Sequence, residues 1–95
     1  MGELTALQRD ILTVLSGLDR PAGVDIEREL DDYYPSDVGD SRLYQSLNQL
    51  VDKGYVTKGM KNARTNEYRL TETGRAWISS YMTWRLQYLR ELEAV

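Results

Sequence analysis

Apolar residues recur at helical spacing in three stretches of the first half of the chain. In the first stretch they recur every three to four positions between Leu7 and Leu15. Thr5, with Gln8 three residues later, forms a capping-box pattern at the start of this stretch. The sequence therefore predicts a first helix over residues 5–16, with one apolar stripe that faces a core.

Two further helices are predicted, each preceded by a loop. Residues 19–23 contain Pro and Gly and predict a turn. Apolar residues at helical spacing then predict a short second helix that Pro35 ends, because the residue before a proline is pushed out of the helical conformation. Leucines at the same spacing predict a third helix, which Asp40 or Ser41 caps and Gly54 ends.

The pattern changes after the third helix to one typical of strands. Residues 55–58 and 67–71 are rich in β-branched and aromatic side chains. They flank residues 59–66, a basic and amide-rich segment that predicts the tip of a long β-hairpin.

A final helix is predicted from a cap at Thr71 to about Glu93. It carries two adjacent apolar stripes, and a domain this small has limited interior to bury both. We therefore expect one stripe to cover the domain and the other to contact a second copy of the chain, although an aromatic stripe is more often core alone. The dimer-interface candidates are Trp77, Tyr81, Trp84 and Tyr88 on one stripe, and Ile78, Met82, Leu89 and Leu92 on the other.

These elements predict a mainly α fold with a small β-hairpin. Three helices, a hairpin and a closing helix describe a winged helix-turn-helix over residues 1–71, followed by a C-terminal dimerisation helix over residues 72–95. With 95 residues, the two parts form one compact unit.

Polar side chains occupy the outward face of the third helix. At 100° per residue, Ser41, Gln45, Asn48 and Asp52 lie opposite the leucines. Tyr44 lies on one flank of this face, and Arg42 and Gln49 lie on the other. Such a face can be merely solvated, or it can contact base edges, because amide side chains pair with adenine and Arg pairs with guanine.

Charge along the chain favours the second interpretation. The net charge is −3, but residues 1–38 carry three basic and nine acidic side chains, whereas residues 39–70 carry six basic and three acidic ones. The local surface charge of the third helix and the hairpin is therefore positive, as phosphate binding requires. Few Lys and many Asp residues also hint at a salt-adapted source.

Composition excludes several classes of enzyme. The chain has no Cys and no His, which removes thiol chemistry, Cys/His metal sites and His-based acid–base catalysis. The carboxylates of residues 27–32 have no partners that would make a catalytic pair, and we interpret them as solvated surface. No enzyme, cofactor or metal is expected. No run of about 18 apolar residues and no leader pattern is present, so a cytoplasmic location without a membrane partner is expected.

Three segments together resemble the PadR-like transcriptional regulators. They are residues 23–30, then residues 41–56 with a Leu-Tyr-x-x-Leu-x-x-Leu helix and a Gly-Tyr-Val strand start, then residues 68–74 with Tyr-x-Leu-Thr-x-x-Gly. The resemblance covers about residues 4–78. It implies a dimeric DNA-binding repressor in which Ser41 and Tyr44 meet DNA. Arg42-Leu43 departs from the family pattern, so base preference is not carried over, and the short C-terminal part leaves any small-molecule effector unknown.

A sequence-specific regulator that binds double-stranded DNA as a homodimer on an inverted repeat is therefore predicted. The alternative is a winged-helix module that binds another protein. Such a module would not need the positive charge of the third helix and the wing. Thr57 or Lys58 is expected on phosphates, and Lys61 or Arg64 in the minor groove. The DNA-binding candidates are Ser41, Arg42, Tyr44, Gln45, Asn48, Gln49, Lys58, Lys61, Asn62, Arg64 and Asn66.

Overall fold

Four helices and one antiparallel hairpin make up the fold. The computed structural model describes residues 3–93, so residues 1–2 and 94–95 of the two predicted parts lie outside it. The mainly α fold with a small hairpin is confirmed. The elements are α1 (Ala6–Gly17), α2 (Gly23–Tyr33), α3 (Asp40–Asp52), β1 (Val56–Asn62), β2 (Thr65–Leu70) and α4 (Glu72–Glu93).

The predicted capping box at the start of α1 is confirmed. The Thr5 hydroxyl oxygen accepts a hydrogen bond from the backbone N–H of Gln8 at 3.1 Å. In return the Gln8 side-chain oxygen accepts from the backbone N–H of Thr5 at 2.9 Å. Both bonds satisfy backbone donors that lack partners at a helix start.

Helix α2 begins earlier than the sequence predicts. Gly23, which was expected in a turn, is its first residue. The side chain of Asp25 accepts from the backbone N–H of Ala22 at 2.9 Å and so stabilises this start. Just before the helix, the chain adds an edge to the hairpin, because the N–H of Tyr68 donates to the carbonyl of Pro21 at 2.9 Å. No local pattern predicts this pairing, since prolines are rare inside strands.

Helix α3 is bounded by two glycines in the left-handed region. Gly39, with φ of 87°, is the residue before the first helical turn, so the predicted cap at Asp40 or Ser41 is wrong. The predicted end at Gly54, with φ of 84°, is confirmed. There the N–H of Gly54 donates to Val51 and the N–H of Tyr55 donates to Leu50, each at 3.0 Å. This pair of bonds is a Schellman motif, which ends the helix and redirects the chain into β1.

The core lies where α1, α2, α3 and the base of the hairpin meet. One apolar face of each helix is buried there, as the helical spacing predicts. The side chain of Asp31 also accepts from the backbone N–H of Val38 at 3.0 Å and holds the loop between α2 and α3. The core residues are Leu4, Leu7, Ile11, Leu12, Leu15, Ile26, Leu30, Val38, Leu43, Leu47, Leu50, Tyr55, Val56, Tyr68 and Ile78.

The hairpin is longer and its tip is tighter than predicted. Pairing continues from Val56 opposite Leu70 to Asn62 opposite Thr65, so only two residues separate the strands. The register shifts between Met60 and Asn62, which leaves Lys61 as the extra residue of a bulge. Pairing of this basic, amide-rich segment overrides its low strand propensity.

Helix α4 starts against the backbone of Gly54 and Tyr55, just before β1. The predicted cap is confirmed, because the Thr71 hydroxyl oxygen accepts from the N–H of Gly74 at 3.0 Å. The Thr71 hydroxyl also donates to the carbonyl of Gly54 at 2.7 Å, and the Thr71 N–H donates to the carbonyl of Tyr55 at 3.1 Å. A Cβ added at Gly74 would lie 2.1 Å from the Tyr55 carbonyl oxygen, so only glycine permits this approach.

The far half of α4 projects away from the rest of the molecule. The helix has 22 residues, which corresponds to about 33 Å at 1.5 Å per residue. Principal extents of 53 × 30 × 24 Å reflect this projection.

Gly74→Ala is expected to destabilise the fold by about 2 kcal/mol, because the new methyl group meets main chain that cannot rotate away. Gly17→Ala is the matched control, since a Cβ there meets nothing within 4 Å, and its stability should stay within about 1 kcal/mol of the wild type. Urea unfolding of both variants measures the difference. Equal midpoints for the two variants would contradict the close approach.

Candidate nucleic-acid interface

The outward face of α3 is polar and exposed. Ser41, Arg42, Gln45 and Asn48 are all exposed, whereas the leucines of the opposite face are fully buried. The side chains of Gln45 and Asn48 make no hydrogen bond within residues 3–93. Their amide donors and acceptors therefore remain available to a ligand.

Tyr44 is only partly available, because its ring packs on the start of α2. Its side chain is 39% exposed. A Cβ added at Gly23 would lie 2.3 Å from the Tyr44 hydroxyl oxygen, so the absence of a side chain at Gly23 makes room for the ring. Burial raises the pKa of Tyr44, and the negative charges of Asp40 and Glu27 raise it further, so the phenol stays a neutral donor.

Gln49 is exposed but already bonded within the protein. Its side-chain oxygen accepts from the side-chain nitrogen of Gln8 at 2.8 Å. Gln8 itself is buried, with 3% exposure, and belongs to the capping box of α1. Gln49 therefore differs from Gln45 and Asn48, although the sequence pattern placed all three on one polar surface.

A second polar contact joins the end of α2 to α1. The hydroxyl of Tyr34, just after α2, donates to the carboxylate of Asp10. Burial raises the pKa of Tyr34 to about 12, the hydrogen bond and negative charge of Asp10 add to this shift, and the positive charge of nearby Arg42 opposes it. Arg42 thus lies close enough to this pair to influence it electrostatically.

The wing presents its predicted polar residues to solvent. Lys58, Lys61, Asn62, Arg64 and Asn66 are all exposed. At the tip, the Asn62 side-chain oxygen accepts from the backbone N–H of Arg64 at 2.9 Å. This bond shapes the two-residue turn, because Asn side chains stabilise turns by bonding to backbone two residues on.

One cleft brings α3 and the wing together. It has a volume of about 250 Å³ and lies between the start of α2, α3 and β2. Tyr44, Arg64 and Asn66 line it together with Tyr68. Three of the predicted site residues, which are up to 22 positions apart in the sequence, therefore share one surface feature.

Acidic side chains border the other end of this surface. The pKa of Glu27 is raised, first by a side-chain hydrogen bond with Asp40, then by partial burial and by the negative charges of Asp40, Asp31 and Asp37. Asp40 is in the first turn of α3. These carboxylates limit how closely a polyanion can approach at that end.

Whether a predicted interface residue of α4 is buried depends on its position along the helix, and not on which of the two stripes it belongs to. Ile78 is 4% exposed and lies in the core, so it offers no side-chain surface to a partner, and its predicted interface role is corrected. Trp77 and Tyr81 are partly buried against the core. Beyond them the apolar side chains of both stripes are exposed: Met82 37%, Trp84 54%, Tyr88 61%, Leu89 50% and Leu92 71%.

Sequence reasoning missed two residues that shape these surfaces. Leu86, 40% exposed, adds to the apolar end of α4; its hydrophobicity was a visible signal, but it falls between the two predicted stripes. Gln8 was recognised only as part of the cap. No sequence signal indicates its bond to Gln49, since the two residues are 41 positions apart.

Comparison with known proteins assigns this chain to a family. The model of the transcriptional regulator PadR-like family matches residues 11–80. The chain belongs to the PadR-like family. A search of curated proteins found no match.

Among solved structures, this PadR-like chain is similar to RosR of H. salinarum. The identity is 43%, over 90% of this chain and 77% of that chain, with a TM-score of 0.85. A complex structure of RosR with S1 gives 44% identity, over 90% of this chain and 75% of that chain, with a TM-score of 0.84. FabT of Streptococcus pneumoniae, solved in complex with DNA, has a TM-score of 0.80 at 17% identity, over 95% of this chain and 60% of that chain, which shows the fold alone. The winged-helix architecture is thereby confirmed.

Between residues 3 and 93, no helix is long and apolar enough to cross a membrane. Over the same span, no group of three or more His, Cys, Asp or Glu side chains is arranged to hold a metal ion.

The raised pKa of Tyr34 predicts a specific alkaline weakening of the fold. Because the phenol ionises at about 12 in the folded protein and near its usual 10.0 when unfolded, its stabilising effect is full below pH 10 and is lost as pH rises towards 12. Tyr34→Phe should flatten the fall in melting temperature over this range. Tyr33→Phe, at a neighbouring ring that is 80% exposed, is the control. Identical pH profiles for Tyr34→Phe and the wild type would argue against this contact.

Proposed function

We propose that this PadR-like regulator binds double-stranded DNA in a sequence-specific manner, with α3 in the major groove and the hairpin as the wing. The observation that carries the proposal is the cleft between α3 and the wing, which Tyr44 of α3 lines together with Arg64 and Asn66 of the hairpin. Amides read base edges, and basic side chains neutralise phosphates. The DNA complex of FabT, which has the same fold, is consistent with this use of the scaffold.

Each part of the surface has a distinct role in the proposal. Gln45 and Asn48 contact base edges, because their amides have no hydrogen-bond partner in the described chain. Ser41 and the neutral hydroxyl of Tyr44 donate to phosphate oxygens. Lys61, which the bulge leaves outside the strand pairing, and Arg64 reach the adjacent minor groove.

Repression as a homodimer on an inverted repeat is the finer part of the proposal. The far half of α4 exposes six large apolar side chains within eleven residues, from Met82 to Leu92. Such a surface is typical of an interface. A two-fold pair of these helices would make a self-complementary contact and would set two α3 helices about 34 Å apart, one turn of DNA. Occupying a promoter in this way blocks transcription.

Gln45→Ala or Asn48→Ala is expected to weaken binding to the selected site by about 1 to 3 kcal/mol and to relax preference at one or two base pairs, because each removes a base-edge contact. The matched variant is Lys61→Ala with Arg64→Ala, which should weaken binding to all sequences and flatten the salt dependence by about one unit per lost phosphate contact. Titration of duplex DNA over a salt series measures both effects.

The two sets of variants distinguish DNA binding from the alternative function, which is binding to another protein. Full selectivity in both α3 variants would overturn the assignment of α3. An unchanged salt dependence in the wing variant would mean that the tip does not meet DNA. If the wild-type chain binds no duplex at all, the protein-binding module gains support.

Trp84→Ala or Tyr88→Ala is expected to weaken dimer association by about 2 kcal/mol, roughly 30-fold in the dissociation constant, because buried aromatics dominate such interfaces. Met60→Ala is the control, since Met60 is also an exposed apolar side chain, at 73%, but lies on the wing. Sedimentation or light scattering across micromolar concentrations measures the association. A monomeric wild type, or equal effects of the α4 and wing variants, would contradict the dimer helix.

A further inference from the structure

Gln8 connects the start of α1 to the last turn of α3. Its side chain is 3% exposed and makes two hydrogen bonds. The oxygen accepts from the backbone N–H of Thr5 at 2.9 Å, and the nitrogen donates to the side-chain oxygen of Gln49 at 2.8 Å. The second bond crosses between two helices and reaches the surface proposed to read DNA.

The network itself fixes which way each amide points. An amide oxygen and nitrogen have similar shapes, so their assignment depends on their partners. The backbone N–H of Thr5 can only donate, so the Gln8 atom that faces it is the oxygen. The Gln8 nitrogen therefore faces Gln49 and donates, and the Gln49 atom that meets it is an oxygen. Neither amide can be reversed without placing two donors or two acceptors against each other.

This bond changes what Gln49 can offer to a base. Its oxygen is held against the Gln8 side chain of α1, whereas its NH₂ group makes no hydrogen bond within the described residues. A paired contact with adenine needs both a donor and an acceptor from the same amide, whereas guanine N7 and O6 and thymine O4 need only a donor. Gln45, one turn earlier on the same helix, has no such bond in the described residues and keeps both functions.

We propose that Gln8 is a positioning residue for base recognition: it holds Gln49 as a hydrogen-bond donor, so that α3 prefers guanine or thymine over adenine at the base pair that Gln49 meets. This inference rests on the proposed function, in which α3 reads base edges. If Gln8 had only a structural role, its loss would instead lower the affinity for every DNA sequence equally, because it would loosen the contact between α1 and α3.

The test uses the full chain and a library of randomised duplex DNA. Gln8→Leu removes the amide and keeps an apolar side chain of similar size in the buried position. Thr5→Ala is the matched control, because it removes the capping hydroxyl but keeps the backbone N–H that orients Gln8. The preferred sequences are selected with each protein, and binding to duplexes with each base at every preferred position is then measured.

Gln8→Leu is expected to raise the preference for adenine, relative to guanine or thymine, by about five-fold or more at one position, because the freed Gln49 amide can then offer both groups. Thr5→Ala is expected to leave the base preferences unchanged. Identical base preferences in Gln8→Leu and the wild type would overturn the inference, as would a loss of affinity that is uniform across sequences.

Gln49→Glu provides a second variant that keeps the bond to Gln8. The carboxylate still accepts from the Gln8 nitrogen but can no longer donate, so preference at the same position should move towards cytosine, whose amino group is a donor. This variant decides the question if Gln8→Leu does not fold. No change of preference at any position in Gln49→Glu would overturn the inference.

A measurement without DNA tests the hydrogen bond between Gln8 and Gln49 separately from the proposed DNA binding. The side-chain amide resonances of Gln49 in proton–nitrogen spectra should shift in Gln8→Leu and stay in place in Thr5→Ala. An unshifted resonance in Gln8→Leu would show that the bond between Gln8 and Gln49 does not form, and would overturn the inference. If the resonance shifts but the wild-type chain selects no sequence, the proposed function fails and the inference fails with it.

Discussion

The backbone at Gly54 and Tyr55 is the constraint on which the rest of the structure depends. The left-handed conformation of Gly54 ends α3 and turns the chain into β1. The carbonyls of the same two residues accept the hydroxyl and the N–H of Thr71, where β2 passes into α4. The absence of a side chain at Gly74 then lets α4 lie directly on this backbone. One short segment therefore fixes the directions of the proposed reading helix, the wing and the terminal helix relative to one another.

Hydrogen bonds within the protein decide which parts of the polar surface remain open to a ligand. Gln49 is committed to Gln8, and Tyr44 is packed on Gly23, whereas Gln45 and Asn48 make no bond within the described chain. Side chains that look equivalent on a helical wheel thus differ in the chemistry that they can offer. Acidic residues at the start of α3 restrict the surface further, because their charge opposes that of a nucleic acid.

Helix α4 links the winged domain to the proposed dimer contact through a continuous run of aromatic rings. Ring centroids lie 6.5 Å apart from Tyr55 to Trp77, then 5.2 Å to Tyr81, 6.2 Å to Trp84 and 5.4 Å to Tyr88. The first rings pack on the core and the last are exposed, so the run extends from the domain to the projecting end.

Most of the elements follow from local sequence patterns, because helical spacing, caps and turn residues act between near neighbours. Thr5 with Gln8, the end of α3 at Gly54 and the cap at Thr71 were all predictable for this reason. The packing of the helices settles which exposed groups are already bonded within the protein and which turns of α4 are buried. Ile78 lies in the core because α4 crosses the domain with its first turns alone, and the Gln49 oxygen accepts from a residue 41 positions away. Such contacts depend on how the helices pack, and no local pattern encodes that packing.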